Sequence, residues 1–266
     1  MKISEITMSL RTPFYKLYES RIIHHIERDK LPVHIGVILD GHRRFAKAEG
    51  LDDYRKSYKA GMKKLEELLS WAHQTDITAV TVWVLSTDNL NRPVSELNPY
   101  FEVLEEFFET LPALGRELGF ALDVTGSIDM LPDRLIASAK SAVAGLPDDG
   151  RASWNVNVAL CYGGRQEILD ACKSLVEDLA FSGVPPEEMS SHIDEESFRD
   201  HLYSSTLPDL DLVIRTSGEA RLSGFLLWQS VYAECVFVDP YWPAFRRVDF
   251  LRALRDFARR ERRFGR

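Results

Sequence analysis

Apolar residues in this chain come in short runs without polar alternation, separated by longer segments with helical periodicity. Six runs rich in β-branched residues predict buried strands at Val33–Leu39, Ala79–Leu85, Ala121–Thr125, Trp154–Leu160, Leu212–Ile214 and Val236–Val238. The helical pattern covers Lys59–His73, Pro99–Thr110, Arg134–Ala144, Arg165–Phe181, Glu195–Leu202 and Asp249–Arg260. Strands that are apolar on both faces and alternate with helices predict a single α/β domain with a central, largely parallel six-stranded sheet flanked by helices.

The predicted helix Pro99–Thr110 carries one broad apolar stripe, formed by Phe101, Leu104, Phe107 and Phe108. The helix predicted from Lys59 to His73 has a leucine-rich face of the same kind. Such stripes are typical of ordinary core packing. The alternative is that the two helices wall a hydrophobic tunnel for a long apolar ligand, and periodicity does not distinguish the two interpretations.

Residues 1–30 are predicted to form an N-terminal amphipathic arm ahead of a domain at 31–266. Apolar residues recur on one side of Thr12–Arg28, among them Phe14, Leu17, Ile22 and Ile26. The polar side mixes basic and acidic residues, which weakens attraction to an anionic membrane. We therefore expect the arm to pack on the body or on a second subunit, with at most peripheral membrane contact.

Composition narrows the class of protein. The chain has 266 residues, 45% of them hydrophobic, but no apolar run approaches the roughly 20 residues that span a bilayer. Its N-terminus lacks the apolar core of a secretory signal, and its three cysteines have no metal or redox spacing, so a cytoplasmic location is expected. A net charge of −8 does not suit a nucleic-acid binder. The nine arginines from Arg246 onward predict a solvated helix face or an anion-binding tail.

The stretch HIGVILDGHRRFAKAEG ends a predicted strand in an acid, a glycine, a histidine and two arginines. Gly41 lets the backbone approach a ligand closely, and a helix start after it would direct N–H groups at an anion. Arg43 and Arg44 suit phosphate oxygens, while Asp40 suits a magnesium ion that bridges them. The alternative is a structural ion pair. Ligands of parallel sheets bind beyond the carboxyl ends of the strands, where this cluster lies.

Two more polar sets also follow predicted strands. The stretch WVLSTDNLNRP contributes Ser86, Asp88, Asn89, Asn91 and Arg92. The stretch DLVIRTSGEARLSGFLLWQSVYAE contributes Arg215, Ser217, Glu219, Arg221 and Ser223. The first is either a polar turn or part of a site, and the arginines and hydroxyls of the second predict a diphosphate cradle. The basic tail RRERRFGR is a fourth candidate for anion binding.

Familiar nucleotide, zinc and hydrolase motifs are absent from the sequence. It contains no Walker loop, no dinucleotide-binding glycine fingerprint, no histidine pair with zinc spacing and no nucleophile elbow. What remains is two anion pockets, one metal carboxylate and a possible apolar tunnel. This combination predicts an enzyme that acts on diphosphates of hydrocarbon alcohols.

Five ordered stretches resemble the cis-prenyltransferase family, which includes undecaprenyl diphosphate synthase and the short-chain Z,E-farnesyl diphosphate synthases of actinobacteria. They are HIGVILDGHRRFAKAEG, WVLSTDNLNRP, NVNVALCYGGRQEI, DLVIRTSGEARLSGFLLWQSVYAE and RRFG. The resemblance runs from about Leu31 to Arg266 and makes this region the catalytic domain of a homodimer with a hydrophobic tunnel. It also implies magnesium-dependent addition of isopentenyl diphosphate to a dimethylallyl, geranyl or farnesyl diphosphate, with a new Z double bond.

The resemblance assigns roles to the first polar set. Asp40 corresponds to the family's metal and diphosphate aspartate, and Glu234 to a metal-binding glutamate. The allylic diphosphate loop corresponds to Gly41, Arg43 and Arg44. The expected cofactor is therefore Mg²⁺.

The remaining assignments concern the second substrate. The isopentenyl diphosphate site corresponds to Arg215, Arg221 and Ser223. Arg263 and Gly265 match the arginine-x-glycine that completes the neighbouring subunit's site. Accessory, non-enzymatic subunits of the family lack the metal aspartate or this arginine-x-glycine. Because Asp40, Arg263 and Gly265 are all present, that alternative is disfavoured.

The chain departs from the family's usual residues at His42 (usually asparagine), Phe45 (tryptophan), Tyr58 (histidine), Asp88 (glutamate) and Leu90 (tryptophan). Tyr58 and Leu90 resemble the short-chain actinobacterial branch. The changes at His42 and Asp88 leave irregular coupling or cyclisation as alternatives to ordinary head-to-tail condensation. Because imidazole titrates near pH 6.5, His42 is expected to donate to a diphosphate when protonated or to accept a proton when neutral.

These arguments predict catalytic roles for Asp40, His42, Ser86, Asp88 and Asn89. Substrate contacts are expected from Gly41, Arg43, Arg44, Phe45, Tyr58, Leu90, Arg92, Arg215, Arg221, Ser223, Arg263 and Gly265. The proton acceptor is either a diphosphate oxygen or an oxygen of the loop from Ser86 to Asn89. Val84 takes a place where long-chain members commonly carry alanine, so a product near C15 is expected; a longer-chain polyprenyl diphosphate synthase is the alternative.

Overall fold

The six predicted strands form one fully parallel sheet. The computed structural model describes residues 19, 21–22, 26–147 and 152–260. Its strands are β1 (His34–Ile38), β2 (Ala79–Trp83), β3 (Phe120–Thr125), β4 (Trp154–Ala159), β5 (Leu212–Arg215) and β6 (Glu234–Phe237). They pair in the order β3-β4-β2-β1-β5-β6. The predicted sheet is confirmed, although β6 begins two residues before its predicted start.

Seven α-helices connect and cover these strands in the described part of the chain. They are α1 (His42–Ala48), α2 (Tyr54–His73), α3 (Val94–Leu118), α4 (Asp133–Ala144), α5 (Gly164–Phe181), α6 (Glu195–Asp200) and α7 (Arg247–Ala258). Helix α3 is longer than predicted because it continues through Pro99 and Pro112. Each proline removes a helical hydrogen bond, and burial of the long apolar stripe offsets that loss.

The sheet separates two apolar layers. Ile35 and Val37 of β1 point into the larger layer, which α2, α3, α4 and α7 cover. Ile38 points to the opposite face, where Phe225 packs and α5 and α6 lie beyond. Gly36 allows this close contact, because a Cβ atom there would lie 2.7 Å from Cε1 of Phe225. The aromatic stripe of α3 belongs to the larger layer.

The two ends of the chain are described only in part. Ile22 is buried and Ile26 packs against the larger apolar layer, so these residues of the N-terminal arm contact the body. Helix α7 buries its apolar face, while Arg252 and Arg259 are exposed. Arg263 and Gly265 lie outside the described residues. No helix within the described ranges has the length and apolar character needed to cross a membrane.

Candidate active site

The parallel strands place three predicted polar sets at one edge of the sheet. Asp40 follows the carboxyl end of β1, Ser86 follows that of β2, and Thr216 follows that of β5. Since β1 pairs with both β2 and β5, these strand ends are neighbours. Tertiary structure thus brings together groups that are more than 170 residues apart in sequence, such as Asp40 and Thr216.

Asp40 lies at the centre of an arginine cluster. Its Oδ2 accepts a hydrogen bond from Arg215 Nη2 at 2.8 Å, and its Oδ1 accepts one from Arg44 Nη2 at 3.0 Å. Thr216 Oγ1 accepts from the Asp40 N–H at 3.0 Å and donates to the Asp40 carbonyl at 2.7 Å. Burial raises the pKa of Asp40, but the hydrogen bonds and charges of Arg215 and Arg44 outweigh it and hold the pKa below its usual value. Asp40 is therefore ionised at neutral pH.

The loop that follows Arg215 holds its side chain in place through hydrogen bonds. Its side chain is 6% exposed, and Nη1 donates to Ser223 Oγ at 2.7 Å and to the carbonyl of Arg221. The Nε–H is buried without a partner among the described groups. The loop reaches back to Arg215 because Ser223 has a φ of 53° and Gly224 one of 90°. These backbone conformations fold the chain onto the guanidinium group.

Glu219 bridges the two arginine loops. Its Oε1 accepts from Arg44 Nη1 at 2.8 Å, and its Oε2 accepts from Arg221 Nη1 at 2.5 Å. Arg44 also donates to Ser217 Oγ at 2.7 Å. The predicted allylic loop and the predicted isopentenyl loop are therefore linked through one carboxylate. Sequence reasoning named Glu219 without assigning it a role.

His42 lies in the diphosphate loop, as predicted, but its side chain is buried. It begins α1 after Gly41, whose φ is 108°, and its Nε2 is buried without a partner among the described residues. The imidazole packs near Tyr58, with ring centroids 5.5 Å apart. Burial and the positive charge of Arg92 lower the pKa of His42 to about 4. The neutral imidazole is therefore the form present near neutral pH, which disfavours donation by an imidazolium, and a role for His42 as a proton acceptor stays a prediction.

Glu96 forms a second charged cluster that the sequence reasoning missed. Its Oε1 accepts from Tyr58 OH at 3.1 Å and lies 3.2 Å from Arg92 Nη1 and 3.8 Å from Arg43 Nε. The Glu96 side chain is 10% exposed. The available signal was a glutamate in the first turn of α3, four residues after Arg92. One largely shielded carboxylate thus pairs with both Arg92 and Arg43.

The loop after β2 is held by its own hydrogen bonds. Ser86 Oγ accepts from the Asn89 N–H at 3.2 Å, and Asn89 Oδ1 accepts from the Ser86 N–H at 3.3 Å. This reciprocal capping box uses the oxygens that were predicted to act on the substrate. Asp88 is exposed, and Leu90 packs against the apolar core. Of the polar set predicted here, Asn89 and Arg92 line the cavity beside Asp40, and Ser86, Asp88 and Asn91 do not.

A cavity of about 700 Å³ opens beside the Asp40 cluster. Its rim is charged and its buried end is apolar and aromatic. The rim includes Asp40, Arg43, Arg44, Lys47 and Arg92. The most buried lining side chains are Leu39, His42, Tyr58, Val84 and Tyr100. Such a cavity fits an anion joined to a hydrocarbon.

The cavity does not extend along the aromatic stripe of α3. Leu104, Phe107 and Phe108 are buried in the core and are not among its lining residues. The tunnel expected from the resemblance is therefore present only as a cavity that ends at Tyr58 and Tyr100. Phe45 is half-buried and does not line it either.

Glu234 lies at the amino ends of the strands, opposite the end where Asp40 lies. It begins β6 and pairs in register with Leu212, the first residue of β5. Asp40 follows the opposite end of the neighbouring β1, so the structure does not bring the two carboxylates together within one chain. Glu234 instead forms an ion pair with Arg260. Asp40 and Glu234 of the same chain therefore do not share a metal ion.

Asp40 is suited to Mg²⁺ as a single protein ligand. No group of three or more histidine, cysteine or acidic side chains arranged to hold a metal occurs among the described residues. Magnesium is usually bound through one or two carboxylates together with substrate phosphates and water. Asp40 is ionised and faces the anion-binding rim, so its chemistry fits that arrangement.

Comparison with known proteins gives a consistent result. The sequence profile of the undecaprenyl diphosphate synthase family matches residues 38–265. A (2Z,6E)-farnesyl diphosphate synthase from Mycolicibacterium smegmatis is 44% identical over 258 residues, which cover 96% of this chain and 97% of that protein. A tritrans,polycis-undecaprenyl-diphosphate synthase (geranylgeranyl-diphosphate specific) from Methanopyrus kandleri is 43% identical and covers 98% of this chain and 94% of that protein.

A solved structure shares the fold. Lavandulyl diphosphate synthase from Lavandula x intermedia, in complex with dimethylallyl diphosphate, superimposes with a TM-score of 0.83 at 29% identity. The match covers 90% of this chain and all of that chain. The family resemblance drawn from the five sequence motifs is confirmed. The chain belongs to the undecaprenyl diphosphate synthase family, the cis-prenyltransferases.

Proposed function

We propose that this protein condenses isopentenyl diphosphate with a short allylic diphosphate to give a Z-prenyl diphosphate near C15. The observation that carries the proposal is the cavity with a charged rim, set by Asp40, Arg44 and Arg92, above a buried apolar end. Relatives at similar identity are named for this chemistry, including the farnesyl diphosphate synthase of Mycolicibacterium smegmatis. The solved relative bound to dimethylallyl diphosphate supports an allylic substrate.

In the proposed reaction, the terminal double bond of isopentenyl diphosphate attacks the first carbon of the allylic chain. A carbon–carbon bond forms, the allylic carbon–oxygen bond breaks, and diphosphate leaves with the electron pair. Loss of a proton from isopentenyl C2 then gives the new double bond. Arg44 is placed to stabilise the charge that develops on the leaving group, which is the role of preorganised donors in transfer reactions.

Mg²⁺, held by Asp40 and diphosphate oxygens, would supply charge neutralisation for the leaving group. Asp40 also orients Arg215 and Arg44 through the hydrogen bonds described above. The family resemblance assigns Arg221 and Ser223 to isopentenyl diphosphate, and both lie on the loop that folds back onto Arg215. The protein's own contribution is thus to bind and orient two anions.

The proton acceptor in this proposal is an oxygen of a diphosphate. The alternative acceptors, Ser86 Oγ and Asn89 Oδ1, already accept hydrogen bonds within the capping box. The buried imidazole of His42 has its free nitrogen turned toward Gly61, where a Cβ atom would lie 2.1 Å away. A diphosphate oxygen is the base that needs no rearrangement of these side chains.

The proposal includes a cytoplasmic homodimer. Strand β6 is at the edge of the sheet, and its residues are only half-buried or exposed. Val231 and Tyr232 just before it are 68% and 69% exposed. An apolar edge of this kind suits a second copy of the chain. The roles of Arg263 and Gly265 in a neighbouring subunit stay predictions.

The decisive experiment incubates purified protein and Mg²⁺ with isopentenyl diphosphate and each of the C5, C10 and C15 allylic diphosphates. Dephosphorylated products are identified by mass spectrometry and NMR, which separates head-to-tail chains from irregular or cyclic isomers. We expect Z-configured products no longer than C15. Products of C50 or more, or a non-head-to-tail skeleton, would contradict the proposal.

A further inference from the structure

Two tyrosines close the buried end of the active-site cavity. Tyr58 on α2 and Tyr100 on α3 have ring centroids 4.3 Å apart. They are 1% and 3% exposed, and both line the cavity that begins at Asp40. The next residue on the same face of α3, Leu104, belongs to the packed core and does not line the cavity. The paired rings therefore separate the cavity from the interior of the α2–α3 contact.

Each ring is also anchored by its hydroxyl group. Tyr58 OH donates to Glu96 Oε1 at 3.1 Å, and Tyr100 OH donates to the backbone carbonyl of Val84. A ring that moved aside would leave a buried hydroxyl and its acceptor unpaired, which is unfavourable. The Tyr58–Tyr100 pair forms the floor of the cavity. Ring packing and the two hydroxyl hydrogen bonds together make this floor rigid.

The floor is connected to the charged rim through Glu96. The same carboxylate oxygen that accepts from Tyr58 lies 3.2 Å from Arg92 Nη1 and 3.8 Å from Arg43 Nε. Both arginines line the rim of the cavity. One hydrogen bond and two ion pairs to Glu96 thus set the distance between the anion-binding arginines and the aromatic floor. A substrate held at the rim meets a floor of fixed depth.

Few apolar side chains line the cavity between its rim and the two tyrosines. The buried aliphatic ones are Leu39 and Val84, and Leu51 and Tyr54 line the cavity with more exposed side chains. A long hydrocarbon would find few contacts there and would have to displace both rings to go deeper. Displacement would break the hydrogen bonds of Tyr58 and Tyr100 described above.

Building on the proposed function, we propose that Tyr58 and Tyr100 are specificity-determining residues that select allylic diphosphates of five or ten carbons over fifteen. Tyr100, which was not among the predicted site residues, is the principal barrier to a longer chain. It lines the cavity, whereas Leu104, the next residue on the same face of α3, lies in the core. The Glu96 network acts as a positioning element that holds Tyr58 against it.

The test compares kcat/KM of the wild-type protein for C5, C10 and C15 allylic diphosphates with saturating isopentenyl diphosphate. We expect the C15 substrate to be poorer than the better of the shorter two by about tenfold or more. The Tyr100→Leu variant removes the ring and its anchor. It should shift the C15-to-C10 ratio toward C15 by about tenfold and lengthen the product.

Two further variants serve as controls. Tyr100→Phe keeps the ring but loses the hydroxyl, so its shift should be smaller than that of Tyr100→Leu. Phe108→Leu removes a buried ring from the same helix without touching the cavity, and its ratio should equal that of the wild type. If Tyr100→Leu does not fold, Tyr58→Leu removes the other ring of the floor and should shift the C15-to-C10 ratio in the same direction.

The outcomes separate this proposal from the proposed function. A wild-type protein that uses C15 as well as C10, or a Phe108→Leu shift as large as that of Tyr100→Leu, overturns the assignment of the floor and leaves the proposed function intact. Absence of product from all three allylic substrates overturns the proposed function, and the assignment of the floor with it.

Discussion

Asp40 and Arg215 form an ion pair that joins the carboxyl ends of β1 and β5, with Oδ2 and Nη2 2.8 Å apart. The pair is mostly buried, since Arg215 is 6% and Asp40 25% exposed. Asp40 also holds Arg44, so a single carboxylate orients one arginine from each of the two predicted diphosphate loops. The site is organised before any substrate arrives, which lowers the entropy cost of assembling it around two anions.

The Asp40→Asn variant is expected to lose at least about 100-fold in kcat, because it removes both the metal carboxylate and the charge that orients two arginines. The protein should stay folded, with a loss of about 1–3 kcal/mol in the free energy of unfolding. Steady-state kinetics and urea unfolding measure the two effects. Asp194→Asn, which changes a remote helix cap in the same way, should keep wild-type kinetics. Near-normal turnover of Asp40→Asn at saturating Mg²⁺ would contradict the assigned role.

The Arg221→Ala variant is expected to raise the KM for isopentenyl diphosphate by about tenfold, because one charge-assisted contact contributes roughly 1.5–3 kcal/mol. The KM for the allylic substrate should change much less. Arg215→Ala should raise the same KM and also lower kcat, since Arg215 holds Asp40 as well. The exposed Arg199, paired with Asp209, offers a matched control in Arg199→Ala. Equal KM changes for both substrates in Arg221→Ala would refute two separate anion sites.

The buried imidazole of His42 is expected to make folding stability depend on pH. Its folded pKa is about 4, against an ordinary value of 6.5. Below pH 6.5 the unfolded chain therefore takes up a proton that the folded protein does not, and stability falls as the pH falls toward 4. At about pH 5 the loss should reach roughly 2 kcal/mol relative to pH 7.5.

Urea unfolding of the wild type and of His42→Asn at both pH values tests this expectation. The variant lacks the imidazole, so its stability should fall by about 2 kcal/mol less than that of the wild type. Because the wild-type imidazole is neutral from pH 6 to 9, the two pH–rate profiles should have the same shape over that range. A change of profile shape in His42→Asn would support a direct proton-transfer role for His42.

Gly61 is expected to be required by His42. A Cβ atom at position 61 would lie 2.1 Å from Nε2 of His42. Gly61→Ala should therefore destabilise the wild type by about 1–3 kcal/mol through overpacking. In the His42→Asn background the cost should fall by at least about 1 kcal/mol, as measured by a double-mutant cycle. Gly145→Ala, whose Cβ atom has no neighbour closer than 3.3 Å, should be additive with His42→Asn. Additivity of Gly61→Ala with His42→Asn would contradict the packing.

Local patterns in the sequence were sufficient for the sheet and for the place of the site. Short apolar runs predict strands because buried parallel strands are apolar on both faces, and all six predicted strands are present. The carboxyl ends of parallel strands share one edge, so polar residues after β1 and β5 had to meet there. Asp40, Arg44 and Arg215 were predicted on this basis, and the structure brings them together.

The tertiary structure alone decided which way each side chain faces. His42 lies within the anion loop, between Gly41 and Arg43, yet its imidazole is buried toward Gly61 and Tyr58, because the first turn of α1 packs on α2. Glu234 was predicted to bind a metal, but its motif carries no information on which end of β6 it occupies. The register with Leu212 places it at the amino end of that strand, away from Asp40.

The length of the cavity was likewise beyond the sequence. An apolar stripe has the same period whether it packs into the core or lines a tunnel, because periodicity records only which residues share a face. The contact between Tyr58 and Tyr100 depends on how α2 and α3 pack against each other, and their hydroxyl groups reach partners on other elements. The sequence therefore determined the chemical class of the site, because that class follows from the residue types placed after the strands. The depth of the cavity and the direction of each side chain depend on contacts between segments distant in the chain, which only the folded structure specifies.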